Sequence, residues 1–121
     1  MESRLTVGAN NRSSSFIQEK IFKTTMKKTI AIAKGKVQGV GFRMYTQNKA
    51  EELGVVGFVQ NLDDGTVKIV AAGEDNKVDA LIDWAKSGSP AAEVDNLQIE
   101  VMKYQSGEFD SFDIRRFRPN Q

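Results

Sequence analysis

"KGKVQGVGFR", residues 34–43, places three glycines, a glutamine and a terminal arginine within ten residues. Glycine weakens a strand interior and costs up to ~1 kcal/mol per residue in a helix interior. The stretch therefore reads as a connection. Before it, "TIAIAKGKV" combines β-branched and small residues with partial alternation, which predicts strand one. After it, "FRMYTQNKAEELG" carries Phe42, Thr46, Ala50 and Leu53 at helical spacing and ends at Gly54, a helix-capping residue. In a strand-turn-helix of this kind, consecutive backbone N–H groups point outward without partners, and the helix dipole adds partial positive charge. Together they make a cradle for an anion.

Gly35, Gly39 and Gly41 permit a backbone path that a Cβ would block. Arg43 stands where the helix begins, so its guanidinium can fold back and hold two oxygens of a phosphate or carboxylate. The spacing is neither that of a Walker A loop nor G-x-G-x-x-G. A plainer reading stands beside this one: the glycines merely let a tight connection pack, and Arg43 is a solvated helix residue.

Further along, "VVGFVQNL" and "TVKIVAAG" read as strands two and three, joined through "DDG", the acid-glycine signal of a tight hairpin. "EDNKVDALIDWAKSG" carries Val78, Leu81, Ile82 and Ala85 as an apolar stripe on a second helix, with Glu74 and Asp75 at its positive end and Gly88 closing it. "AEVDNLQIEVMKY" is strand four, and "FDSFDIRRF" alternates Phe112, Ile114 and Arg116 as a short last strand. The order β-α-β-β-α-β with an added C-terminal strand predicts an α+β, ferredoxin-like sandwich: an antiparallel sheet with two helices on one face. "TIAIA" or the last strand is the segment expected to pair between chains if the protein is partly unfolded.

The 121 residues are enough for one domain, and 40% apolar content suits a compact core. There is no apolar run of membrane-spanning length, and the net charge of +1 points to neither nucleic acid nor an acidic partner. The chain has no Cys and no His. Thiolate chemistry, disulfides and the commonest general base and metal ligand are thus excluded. Absence of Cys is compatible with a cytoplasmic location. Residues 1–26 lack periodicity and are read as an extension, flexible or tag-derived, with the domain over 27–118; Glu2 and Glu19 disfavour a mitochondrial transit peptide.

Asn61 falls near the end of strand two, where an asparagine ordinarily bonds its own turn backbone. Asp63 and Asp64, directly before Gly65, are turn formers first and an acid-base or metal pair second. An RNA platform needs exposed aromatics on strands one and three, and "IAIAK" and "VKIVA" have none. Lys34 and Lys36 flank the turn, either drawing anions in or simply solvated.

Two stretches together resemble one family. "GKVQGVGFR" matches the acylphosphatase signature G-x-V-Q-G-V-x-F-R at every fixed position, and "GFVQNLDDGTV" matches its second signature, G-aromatic-V-x-N-x-x-D-G-x-V. "SGSPAAEVD" and the closing "FDIRR" are similar to further family segments, with Arg116 where a tyrosine is common. The resemblance spans about residues 27–118. It implies hydrolysis of the carboxyl-phosphate bond of acyl phosphates, small-molecule substrates. By motif position, Arg43 is the implied phosphate-binding arginine. The backbone amides of Gln38, Gly39, Val40, Gly41 and Phe42 are the implied cradle, and Asn61 the residue that positions the attacking water.

The family needs no metal, no cofactor and no covalent intermediate, and neither a nucleic-acid nor a membrane partner is expected. A monomer is the simplest expectation. Leu62 stands where some members have a hydroxyl residue, and Gly41 in the motif's free position is expected to loosen the cradle. The alternative reading is a catalytically slow phosphate-binding module. Acylphosphatase-like domains also occur within larger proteins that handle carbamoyl phosphate, against which the length of this chain argues.

Overall fold

A computed structural model describes residues 25–116. All but the last two residues of the expected N-terminal extension lie outside this range, as do residues 117 and 118 at the far end of the expected domain. The elements run β1 (Met26–Lys36), α1 (Phe42–Leu53), β2 (Val56–Asn61), β3 (Val67–Glu74), α2 (Asp75–Ala85), β4 (Glu93–Met102) and β5 (Phe112–Arg115). The sheet order is β4-β1-β3-β2-β5. The first four strands pair antiparallel in the ferredoxin-like arrangement, while β5 adds to β2 in parallel, so the completed sheet is mixed.

Alternation along the strands puts one side chain in two on the helix side. A single cross-strand row there reads Ile99, Ala31, Ile69, Val59, Ile114. Its three central members are fully buried and its two ends are exposed; α1 lies over β2 and β5, and α2 over β1 and β3. The small side chains of β1 let the helices approach closely. α1 contributes Phe42, Thr46 and Ala50, and α2 contributes Val78, Leu81, Ile82 and Ala85, all buried. These are the residues that the helical periodicity singles out. Gly54 caps α1 in the left-handed conformation, as expected; α2 ends earlier, capped at Lys86, with Gly88 N–H still bonding the Trp84 carbonyl at 2.9 Å.

β1, which carries "TIAIA", lies between β4 and β3 in the folded sheet, and the edges are β4 and β5. Gly35 lies outside the turn at 38–42. It sits in β1 where the register with β4 slips between Lys34 and Gly35, at φ 126°, and a Cβ there would overlap the Glu93 carbonyl oxygen. Its glycine serves a bulge and a close strand approach.

Gly35→Ala is therefore expected to destabilise the protein by about 2–4 kcal/mol, combining backbone strain with a steric overlap that rigid backbone cannot relieve. Gly65→Ala, also at positive φ but with open space around it, should cost only about 1 kcal/mol. Urea midpoints of the two variants measure the difference.

Candidate active site

The loop between β1 and α1 is held at both ends by the core. Val37 and Phe42 are each 1% exposed. Phe42 stacks on Trp84 of α2, ring centroids 5.8 Å apart at 16°, and its carbonyl accepts the Thr46 hydroxyl at 2.7 Å. Between these anchors, Gly39 and Gly41 take positive φ of 74° and 76°. Gly41 is the residue immediately before α1, and no side chain caps the helix there. Gly41, expected to loosen the loop, thus fills a left-handed position that other residues adopt at a cost.

Among the described residues, the N–H groups of Gln38 through Met44 donate to no recorded acceptor; the first that does is Tyr45, to the Gly41 carbonyl at 3.0 Å. Unpaired donors of a helix start and the preceding turn thus lie in one short run of chain. Arg43, the second residue of α1, is half-buried. Among the described residues no carboxylate forms an ion pair with it. A depression of about 190 Å³ is lined by both cradle glycines and Arg43.

Asn61 approaches the same end of the sheet from β2. It lies opposite Val67 and shares the helix side of β2 with fully buried Val59. Its Oδ1 is buried and has no hydrogen-bond partner among the described residues. The ordinary turn role expected of such an asparagine is taken by Asp64, whose Oδ1 accepts from the Thr66 hydroxyl at 2.6 Å and the Thr66 N–H at 3.0 Å. Those bonds, the hydroxyl's first, hold the exposed Asp64 carboxyl below its usual value, and Lys34 adds to the effect. Asp64 is therefore the turn former that "DDG" suggests.

The two stretches are joined by a side chain. Gln38 Nε2 donates to the carbonyls of Leu62 at 2.8 Å and Thr66 at 2.9 Å, tying the cradle to both strands of the β2–β3 hairpin. Leu62 is further fixed by its N–H to the Thr66 carbonyl and by its carbonyl accepting from Gly65. A third support comes from the α2–β4 connection, where buried Ser89 donates its hydroxyl to the Val40 carbonyl at 3.0 Å. Gly88 beside it lets this connection meet the Phe42 ring, which a Cβ would strike. Sequence reasoning places Gln38 in the cradle by its backbone alone and misses both its amide clamp and Ser89. "SGSP" was the only local signal for the latter.

The acylphosphatase family model matches residues 29–114. An acylphosphatase of Acaryochloris marina is 51% identical over 86 residues, 71% of this chain and 90% of that protein. Solved acylphosphatases of Bacillus subtilis and Coxiella burnetii align with TM-scores of 0.70 and 0.71 at 34% identity. They cover 74% and 78% of this chain and 98% and 99% of their own. The chain belongs to the acylphosphatase family, enzymes that hydrolyse acyl phosphates. Among the described residues no helix is long and apolar enough to cross a membrane.

Gln38→Leu removes one hydrogen bond from each of two carbonyls that keep other partners, and should cost about 1–2 kcal/mol. Amide exchange should quicken at Leu62 and Gly65 more than in the helices. A separate test concerns Asp64. Its folded-state pKa is depressed, so its contribution to stability is present above the ordinary carboxylate value and is lost as pH falls through the lowered one. NMR titration should find the Asp64 carboxyl below its usual midpoint and Thr66→Val should return it upward.

Proposed function

We propose that the backbone amides of Gln38, Gly39, Val40, Gly41 and Phe42, together with the Arg43 guanidinium, hold the phosphate of an acyl phosphate while Asn61 orients the attacking water. The observation that carries this reading is the buried, unpartnered Oδ1 of Asn61, on a hairpin that Gln38 ties to the donor-rich turn. A buried amide oxygen calls for a donor, and a water donating to it turns its own lone pair away, toward the phosphorus.

In the reaction the water oxygen forms a bond to phosphorus as the bond from phosphorus to the bridging oxygen breaks. The electron pair leaves with the carboxylate, and the water's proton passes to a phosphate oxygen. The leaving carboxylate has a conjugate acid near pKa ~4–5, so it departs at neutral pH without a general acid. A chain with neither His nor Cys suits such a reaction, because phosphoryl transfer runs mainly on positioning and charge stabilisation. The guanidinium supports charge on the equatorial oxygens, and the amides, already fixed by the core, need no reorganisation as that charge shifts. Leu62 offers no hydroxyl beside the water, which leaves its orientation to Asn61.

Purified protein with benzoyl phosphate and no added metal tests the reading. Asn61→Ala should lower kcat about 10²–10³-fold while inorganic phosphate still inhibits competitively. Arg43→Ala should lose both turnover and phosphate inhibition, at about 3 kcal/mol or more. Phosphate binding without turnover in the wild type would make the chain a binding module and overturn the proposal.

A further inference from the structure

On one flank of the cradle the surface turns apolar. The depression that holds both cradle glycines and Arg43 is completed by buried Val37 and Phe42 and by Met44 and Ile114; among the described residues Arg43 is the only charged one lining it. Met44 is 53% and Ile114 38% exposed. They come from elements far apart in the chain: Met44 from the first turn of α1, off its buried stripe, and Ile114 from β5. Ile114 is the outer member of the helix-side row, beyond buried Val59. Two large apolar side chains thus face water beside the cation.

An acyl phosphate has one strongly anionic end and one end whose character depends on the acyl group. With the phosphate engaged by Arg43 and the cradle, the remaining wall of the same depression is the thioether of Met44 and the branched chain of Ile114. We propose that these two residues seat the acyl group, so that this enzyme favours acyl phosphates with an aromatic ring or an alkyl chain of several carbons over acetyl phosphate. A second anionic group on the acyl side would meet the apolar surface of Met44 and Ile114, with no further cation among the described lining residues to pair with it. The inference rests on the reading of Arg43 as the phosphate-binding residue.

Contact of this kind is made equally in the bound substrate and in the transition state, so it lowers KM and leaves kcat nearly level along a homologous series. Complete burial of a methylene is worth about fourfold in an equilibrium constant, and a half-open wall should deliver about twofold.

The test is kcat and KM for acetyl, butyryl, hexanoyl and benzoyl phosphate with wild type, Met44→Gln and Ile114→Thr. Met44 is exposed on a helix, where Gln is well tolerated, and Thr keeps a β-branched residue in the strand; either variant alone suffices if the other fails to fold. The wild-type kcat/KM should rise about 16-fold from acetyl to hexanoyl phosphate through KM, and that ratio should fall about threefold in each variant. Competitive inhibition by inorganic phosphate should keep its wild-type constant, separating the acyl seat from damage to the cradle. A flat wild-type series, or a ratio that neither variant changes, overturns this inference and leaves the proposed function standing. Wild type that hydrolyses none of the four overturns both.

Discussion

Everything at the proposed anion site depends on burial of the two side chains that bracket it. Val37 and Phe42 are inserted into the core, and only four residues separate them, so the backbone between has little freedom to collapse onto itself. Its N–H groups stay directed outward because the anchors hold the path and because Gly39 and Gly41 make that path accessible. The anchors are themselves secured from α2, through the Phe42–Trp84 stack, and from the α2–β4 connection, through Ser89. Core packing, rather than local hydrogen bonding, holds the path of this turn, whose N–H groups have no backbone acceptor among the described residues. Under the proposed function, donors fixed in this way would meet developing charge without reorganising.

The hairpin beyond β2 shows a division of labour among polar residues of similar chemistry. Asp64 and Thr66 close the turn with bonds to one another, and Gln38 satisfies the spare capacity of two hairpin carbonyls from across the gap. With those needs met by neighbours, Asn61 has no turn to stabilise, and its oxygen remains buried without a partner among the described residues. An unpaired buried oxygen of this kind carries a cost in the folded state. The same fold uses aromatic residues to close its other sheet face, where Phe58 is covered by the Phe109 edge and by the Arg115 guanidinium 3.7 Å from its ring centroid.

The fifth strand extends the sheet beyond the four-strand ferredoxin-like core. Its parallel pairing with β2 places Ile114 opposite Val59 and in the same depression as Arg43 and Met44 at the start of α1, so an apolar margin meets a cationic helix start. Gln47 of α1 also reaches this strand, donating to the Phe112 carbonyl at 2.9 Å, which fixes β5 against the helix that carries Arg43.

Much of this was legible in order along the chain. Periodicity alone marked Phe42, Thr46 and Ala50 on one helix and Val78, Leu81, Ile82 and Ala85 on the other, because side-chain direction within an element is set by its repeat. The two motifs carried the family and nominated Arg43 and Asn61. What local pattern could not supply was partnership across distance. Nothing near Gly35 announces that β4 will press on it. The spacing from Gln38 to Leu62 does not foretell a hydrogen bond, and nothing near Ile114 foretells that it stands exposed beyond buried Val59 at the outer end of a cross-strand row. Sequence determined the elements, their buried faces and the residues able to hold an anion, since those follow from residue type and repeat. Tertiary structure alone decided which glycine shapes the site and which acid closes the turn. It alone set which apolar residues stand beside the arginine, because contacts between remote segments are settled only when the whole core packs.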